Sequence, residues 1–440
     1  MKRRIILAML TVTVGLLSGC GASTSTDTTT DTTQTGTTEE TSDTTSASGD
    51  AIRVINGKIE IDASLKALAK TYQEETGQEV VIESLGGGTD IQATLKGDYQ
   101  AGNMPDIFVI GGPGDYVTWE GMVADLGDCE FASITDIALT DDSGMVVGFP
   151  YTVEGYGLTY NADLLAQAGI DPATLINYAA YEEAFATLEG MKEELGITAV
   201  CSVAAEAGQM YWSTGSHLFG YYLSGGLDRA DKTYIDLLLN AELDQDRLGQ
   251  FGKFYGMVCE YSDPQVLISG SYDDQLSLWA QGKTAFITQG NWIDVSLDSY
   301  NVTFEVGLAP FAFTEEDMPG ILADAPSWWV VYGESSNVEG CKAFLDWLAT
   351  SQAGQKGLIE ECGMVSPFET ATTTPPYPLS TMLSEYIASG NTYAWDWTSM
   401  PDGMAMQYTG YVFEAFAKGD IDVEGFKSMM AAQVVAGSTN

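Results

Sequence analysis

The stretch GFPYTVEGYGLTYN, Gly148 to Asn161, decides how the chain is built. It reads as a strand interrupted once. Val146 and Val147 lead in, Pro150 removes a backbone donor, and Gly155 and Gly157 loosen the chain before Leu158, Thr159 and Tyr160 resume. A proline inside a central strand costs the ladder a hydrogen bond. The stretch allows two readings: an edge strand with a bulge, or a chain passing from one domain to another with Tyr151, Glu154 and Tyr156 at the seam.

The upstream sequence alternates strands and helices. Ile52, Val54 and Ile55 form a short strand. A helix is expected from Ala63, with Asp62 as N-cap, Leu65, Leu68, Ala69 and Tyr72 on one face, and Gly77 at the C-terminal cap. Val80 to Ile82, a helix over Ile91 to Gln100, and the apolar run Ile107 to Ile110 come next. This βαβαβ order opens a doubly wound α/β domain. The glycines at 86–88 and 111–114 lack both the GxGxxG spacing and the P-loop pattern, so they are read as turns that let a ligand approach the backbone. Downstream, helices are expected over 162–168, 181–195, most of 237–260, 272–281, 341–350 and 353–361, with strands at 198–203, 284–288, 306–308 and 328–332. Pro367, Pro375, Pro376 and Pro378 mark another chain crossing.

At 440 residues the chain suits two or three domains. Its formal charge of −44 gives it the wrong sign for nucleic acid or anionic lipid. Lys2, Arg3 and Arg4, an apolar run from Ile5 to Leu17, and Leu17-Ser18-Gly19-Cys20 resemble a bacterial lipoprotein signal: residues 1–19 are removed and Cys20 carries the lipid. Residues 21–49 hold 13 Thr and 5 Ser with no Leu, Ile, Val or aromatic residue, which makes 20–50 a disordered tether. The remaining cysteines, Cys129, Cys201, Cys259, Cys341 and Cys362, are scattered and contain no CxxC; buried free thiols are the default, with a Cys341–Cys362 bridge left open. No zinc or other metal site and no cofactor is expected.

With these pieces in order, the chain resembles the bacterial extracellular solute-binding proteins of the maltose- and oligosaccharide-binding type, the capture lipoproteins of ABC importers. The matching segments are Asn56-Gly57-Lys58, Tyr72 to Gly77, Gly102 to Ile107, the opening stretch continued through Asn161 to Ile170, and Gln281 to Phe286 followed by Gly290-Asn291-Trp292. The resemblance implies two doubly wound α/β domains joined by a multi-crossover hinge, with a ligand cleft between them. It puts one lobe at 51–152 plus 329–370 and the other at 153–328 plus 371–437, with crossings near 152–155, 328–332 and 369–374. The interrupted strand is then a domain crossover.

Sugar recognition needs flat aromatic faces and polar groups for hydroxyls. Carried over by position, Trp292, Trp395 and Trp397 are the stacking candidates, with Tyr211 and Trp212 at a similar place. Polar contacts are expected from Asn56, Lys58, Glu60, Glu83, Asp115, Glu154, Tyr151 and Asp396, and Tyr116 is a candidate for a further stacking surface. One of Trp328 and Trp329 should face the cleft, because strand side chains alternate; Trp328 is the candidate. Trp119, Trp279 and Trp347 read as packing residues, and the single histidine, His217, as a surface or core residue; no catalytic residue is assigned. The expected partners are an oligosaccharide, the permease subunits, and the membrane through Cys20, for a monomer on the extracellular face of a Gram-positive cytoplasmic membrane. Two other readings stay open: the same fold holding a polyamine or, through Tyr221-Tyr222, ferric iron; and a secreted glycoside hydrolase using a carboxylate pair.

Overall fold

The computed structural model describes residues 51–86, 88–373 and 375–438. The expected signal segment, Cys20 and the tether lie outside them, as does Thr374 at the end of the third expected crossing. The strands are β1 (Ile52–Asn56), β2 (Val80–Ser84), β3 (Ile107–Ile110), β4 (Leu139–Thr140), β5 (Val146–Pro150), β6 (Glu154–Tyr156), β7 (Leu158–Asn161), β8 (Cys201–Ser202), β9 (Phe286–Ile287), β10 (Val306–Ala309), β11 (Ile321–Asp324), β12 (Trp328–Val331) and β13 (Thr392–Tyr393). They form a six-stranded sheet in the order β2-β1-β3-β12-β5-β4, a four-stranded sheet β10-β7-β9-β8 and a three-stranded sheet β13-β11-β6.

The stretch around Gly148 to Asn161 gives one strand to each sheet. β5 lies between β12 and β4, so it is no edge strand, and its last residue, Pro150, pairs with Trp328. The chain then leaves, tied by Val153 N–H to the Val365 carbonyl (2.8 Å), and Glu154 enters the three-stranded sheet against Asp324. After Gly157 it enters the four-stranded sheet, where Gly307 faces Tyr160. It returns between β11 and β12, in the two sheets that share the crossing.

The first lobe is parallel over β2-β1-β3, and both faces of its sheet are covered along β1, β3 and β12. Alternation sorts the residues of β1, β3 and β12: Ile52, Val54, Ile107, Val109, Trp329 and Val331 enter one core, while Ile55, Phe108, Ile110, Trp328 and Val330 enter another. Helices α1 (Asp62–Thr76), α2 (Ile91–Ala101) and α3 (Pro113–Trp119) follow β1, β2 and β3. The second lobe has one large core running from Tyr156 to Val434. Its strands β8 and β9 are shorter than expected, with two residues each. The helix expected over 181–195 begins earlier, at Tyr178, where the Asn177 side chain caps it, and it breaks at Met191. Asp62 is the first residue of α1 and not its cap: the 3₁₀ turn Ile59–Ile61 already runs into the helix, and the Asp62 carboxylate accepts from Lys66 (2.9 Å). All five cysteines of the described part are free, so no Cys341–Cys362 bridge is formed.

Helix Pro378–Ser389 gets no side-chain cap from its own N-cap, Tyr377. The buried Asp294 supplies it from another segment, accepting from the Leu379 (3.1 Å) and Ser380 (2.7 Å) amides. Asp294→Ala is expected to leave both amides unpaired and to lower the unfolding free energy by about 1–3 kcal/mol in urea titration.

Candidate functional site

The carboxyl ends of β1, β2 and β3 point the same way, which is where an open α/β sheet offers its loops to a ligand. Gly57 to Glu60, Gly88 to Gln92 and Gly111 with Asp115 come from those ends and form one side of a cavity of about 490 Å³. The other side comes from the second lobe: Glu154, Gln209 to Trp212, Ser216, His217, Ser271 to Asp273, Trp292, and 397–406 apart from Ser399. Pro326 and Ser327 close it between the lobes.

Among the described residues, Lys58 is the one cationic residue lining the cavity. Its ammonium lies 2.6 Å from Glu60 and in direct contact with Glu154, which is only 5% exposed. Burial alone would lower its pKa; the Glu154 and Glu60 carboxylates outweigh burial and hold it above the ordinary lysine value. Asp115 accepts from its own turn, at Gly111 N–H (2.7 Å), and burial, with the Asp402 and Asp90 charges nearby, pushes its carboxyl up to about 6. Asp402 is bonded to Lys96 of α2 (2.5 Å), and Asp90 caps α2 through Ala93 N–H (2.8 Å).

The apolar wall is made of rings. Trp292 lies on the turn Asn291–Ser296, parallel to Tyr156 at 5.8 Å, and its indole N–H donates to Gln289 Oε1 (2.8 Å). Gln289 in turn donates to Gln275 Oε1 (2.8 Å), and Gln275 to the Ser202 carbonyl (2.9 Å), so a buried amide relay fixes the plane of Trp292. Trp212 meets Trp292 and Tyr272 edge-on or tilted, at 6.4 and 5.9 Å. His217 packs against Trp397 at 4.8 Å and Trp292 at 5.2 Å.

Of the residues singled out in the sequence, Trp292, Trp397, Tyr211, Trp212, Lys58, Glu60, Asp115 and Glu154 border this cavity. The others do not. Trp395 is buried behind the wall, perpendicular to Trp397 at 5.9 Å. Asp396 is turned inward to Ser224 (2.9 Å) and Lys232 (2.5 Å). Asn56 is buried and shapes the turn after β1, donating to the Lys58 carbonyl (2.8 Å) and Ser84 (3.0 Å). Glu83 is on an exposed face of β2. Tyr151 stacks on Trp329 at 4.4 Å, with its hydroxyl on Ser327. Trp328 and Trp329 are both core residues, on opposite faces of a sheet covered on both sides; the Trp328 indole donates to the Ile137 carbonyl (2.8 Å). Tyr116 is buried in the first lobe and gives the cavity no ring. Trp347 is only partly buried, donating to Glu75 (2.9 Å). Sequence reading missed His217, Asp90, Gln92, Tyr272, Asp273, Ser327 and Asp402 as lining residues. Asp90 and Gln92 had a signal, their place just beyond a strand end; the others have none at the level of motif.

The profile of the bacterial extracellular solute-binding proteins matches residues 67–378. The chain belongs to this family. It is similar to a maltooligosaccharide ABC transporter solute-binding lipoprotein of Streptococcus pneumoniae, 24% identical over 384 residues, covering 82% of this chain and 79% of that one. Among solved structures, a chitin oligosaccharide binding protein superposes with a TM-score of 0.73 at 16% identity, covering 89% of this chain and 99% of the other. A sugar transporter protein from Bacillus licheniformis, in complex with stachyose, superposes with a TM-score of 0.69 at 18% identity, covering 88% and 99%. These structures share the two-lobed fold of the solute-binding protein described above.

In this solute-binding protein, Lys58→Met is expected to leave Glu154 buried and unpaired, costing about 3–5 kcal/mol of stability. Adding Glu154→Gln is expected to return part of that loss. A double-mutant cycle by denaturant unfolding measures the coupling directly.

Proposed function

We propose that the protein captures an oligosaccharide outside the cell and delivers it to the permease subunits of an ABC importer by closing its lobes. The observation that carries this reading is the cavity itself: rings of Trp212, Tyr272, Trp292 and Trp397 face carboxylates set at the ends of β1 and β3 and at the start of β6. Such a wall covers the apolar face of a pyranose while the acids accept from its hydroxyls. The names of the similar proteins, which speak of maltooligosaccharide, chitin oligosaccharide and stachyose, support the same ligand class.

In this reading one lobe is 51–152 plus 329–370 and the other is 153–328 plus 371–437. Cys20 carries the lipid, 20–50 spans the distance from the membrane, and the protein works as a monomer on the extracellular face. No bond of the ligand is broken. The ferric-iron alternative loses its ligands: Tyr221 donates to the Tyr156 carbonyl (2.7 Å), Tyr222 accepts from Asp244 N–H (2.8 Å), and neither borders the cavity.

Thermal-shift screening with malto-, xylo-, manno- and fructo-oligosaccharides, spermidine and Fe³⁺ tests the ligand class, because a ligand of the native state at about 100 times its Kd adds about 2.7 kcal/mol. An oligosaccharide is expected to give the largest shift, chromatography is expected to recover it uncut, and Trp292→Ala is expected to abolish the shift. A full shift in that variant would refute the site.

The lobes also meet beside the cavity. A Cβ at Gly114 would run into the Met400 carbonyl of the other lobe, and one at Gly112 would lie 2.7 Å from the Thr398 Cβ. Gly114→Ala is tolerable within α3 itself, so it is expected to leave the unfolding midpoint nearly unchanged. It should hold the lobes apart, weaken sugar binding about tenfold or more, and enlarge the radius of gyration of the ligand-saturated protein in X-ray scattering.

A further inference from the structure

His217 is the only histidine of the chain, and it stands at the centre of the aromatic wall. It lies on a wide helical turn, Trp212–Leu218, whose hydrogen bonds reach five residues along the chain. That turn returns the imidazole to the carbonyl of Trp212, with Nδ1 2.7 Å from the oxygen. A carbonyl oxygen only accepts, so Nδ1 carries the proton and Nε2 keeps its lone pair. Nε2 takes part in no hydrogen bond among the described residues, and the ring borders the cavity between Trp292 and Trp397.

The acids around the cavity differ in this respect. Glu60 and Glu154 hold Lys58, Asp115 holds Gly111, Asp402 holds Lys96, Asp90 holds Ala93, and Asp273 accepts from the Tyr300 hydroxyl (3.2 Å). Each is already committed, through at least one oxygen, to the protein. Among the described residues, His217 Nε2 is an acceptor in the ring-lined part of the cavity that has no protein donor and, unlike a hydroxyl, no proton of its own to give.

We infer that His217 Nε2 accepts a hydrogen bond from a ligand hydroxyl lying between Trp292 and Trp397, and that this bond selects for a sugar carrying a donor at that position. The inference rests on the proposed oligosaccharide function. A site that hydrogen-bonds a substrate hydroxyl discriminates strongly against the analogue lacking it, because the site's own polar group is then left unpaired.

The surroundings keep the imidazole neutral. Tyr156 from β6, the indoles of Trp212, Trp292, Trp395 and Trp397, and the carbonyl of Trp212 pack around it. Asp396, between two of those indoles, is turned away to Ser224 and Lys232. Across the cavity stands Lys58 with Glu60 and Glu154. Burial lowers the imidazole pKa to about 4, with the Lys58 charge acting the same way and the Trp212 carbonyl opposing. A base whose folded pKa is depressed gives up stability as pH falls from its ordinary value of about 6.5 toward about 4. Over the same range the lone pair is replaced by a proton and the acceptor is lost.

With one histidine, the long-range ¹⁵N–¹H spectrum of the imidazole is unambiguous, and the probe is whichever of the malto-, xylo-, manno- and fructo-oligosaccharides raises the melting temperature of the full folded chain. The expected result is an Nδ1–H tautomer in the free protein at pH 7, with the bare Nε2 resonance moving upfield on saturation. His217→Asn, which keeps a donor for the Trp212 carbonyl and removes the acceptor, should raise the Kd of the probe about 10- to 100-fold with the melting temperature of the free protein nearly unchanged. His217→Gln, which restores an acceptor near the Nε2 position, should recover part of the affinity and flatten its decline between pH 6 and pH 4. An Nε2–H tautomer, an Nε2 resonance unmoved by a saturating sugar, or unchanged affinity in a folded His217→Asn overturns the inference. If no sugar raises the melting temperature, the oligosaccharide reading itself fails and takes this role with it; that outcome is told apart from the others because it precedes any spectrum of a complex.

Discussion

The contact between Lys58 and Glu154 fixes where the two lobes stand at the cavity. Lys58 follows β1 of the six-stranded sheet, and Glu154 is the first residue of the strand that opens the second lobe. Burying either charge alone costs several kcal/mol, and a buried pair regains this only with good geometry. The pair is therefore a poor source of stability and a good source of position. Its surroundings are arranged to that end: Asn56 holds the Lys58 carbonyl, and Glu60 takes a second side of the ammonium. Tyr151, leaving the first sheet, meets Ser327, which returns to it, at the same level of the molecule. The outgoing and returning crossings are thus joined to each other beside the ion pair that spans them.

The aromatic wall depends on irregular backbone. In a regular α-helix, residues five apart point roughly 140° away from each other at 100° per residue. The wide turn over Trp212–Leu218 brings His217 back beneath Trp212, so both rings face one cavity. A second wide turn, Ala405–Thr409, packs against the first, with the Thr409 hydroxyl donating to the Gly215 carbonyl (3.0 Å). Each supports the other, which is how two poorly bonded turns persist side by side. Behind Trp292 the same purpose is served by side chains, through the Gln289–Gln275 relay.

Much of this is legible in the sequence because strand ends are legible. Lys58, Glu60 and Asp115 stand just beyond apolar runs in a doubly wound order, and Glu154 stands where a proline-broken strand must leave its sheet. The misplaced residues show what such reasoning lacks. Alternation correctly sends Trp328 and Trp329 to opposite faces, but both faces of this sheet are buried under helices, and the cleft lies past the strand ends. Glu83 fails for a related reason, standing on an exposed face of β2 one residue before its end. Trp395 and Trp397 are equivalent in sequence; the turn Asp396–Ser399 sets them perpendicular, one behind the wall and one in it. His217 has no neighbouring motif, and its position depends on a wide turn that no local propensity announces.

The glycines after β3 sharpen the same distinction. In the sequence they read as room for a ligand. Gly111 does border the cavity, but Gly112 and Gly114 lie against Thr398 and Met400, so the space they leave is filled by the other lobe. The close approach at this point is of backbone to backbone, Gly114 against the Met400 carbonyl. It brings Asp402 to Lys96 and sets Trp397 opposite the end of β3, so that polar groups of one lobe and rings of the other enclose a single volume. A cavity whose acids are already bonded to protein donors and whose rings are already braced needs little reordering to receive a ligand, and low reordering is what leaves contact energy available as affinity.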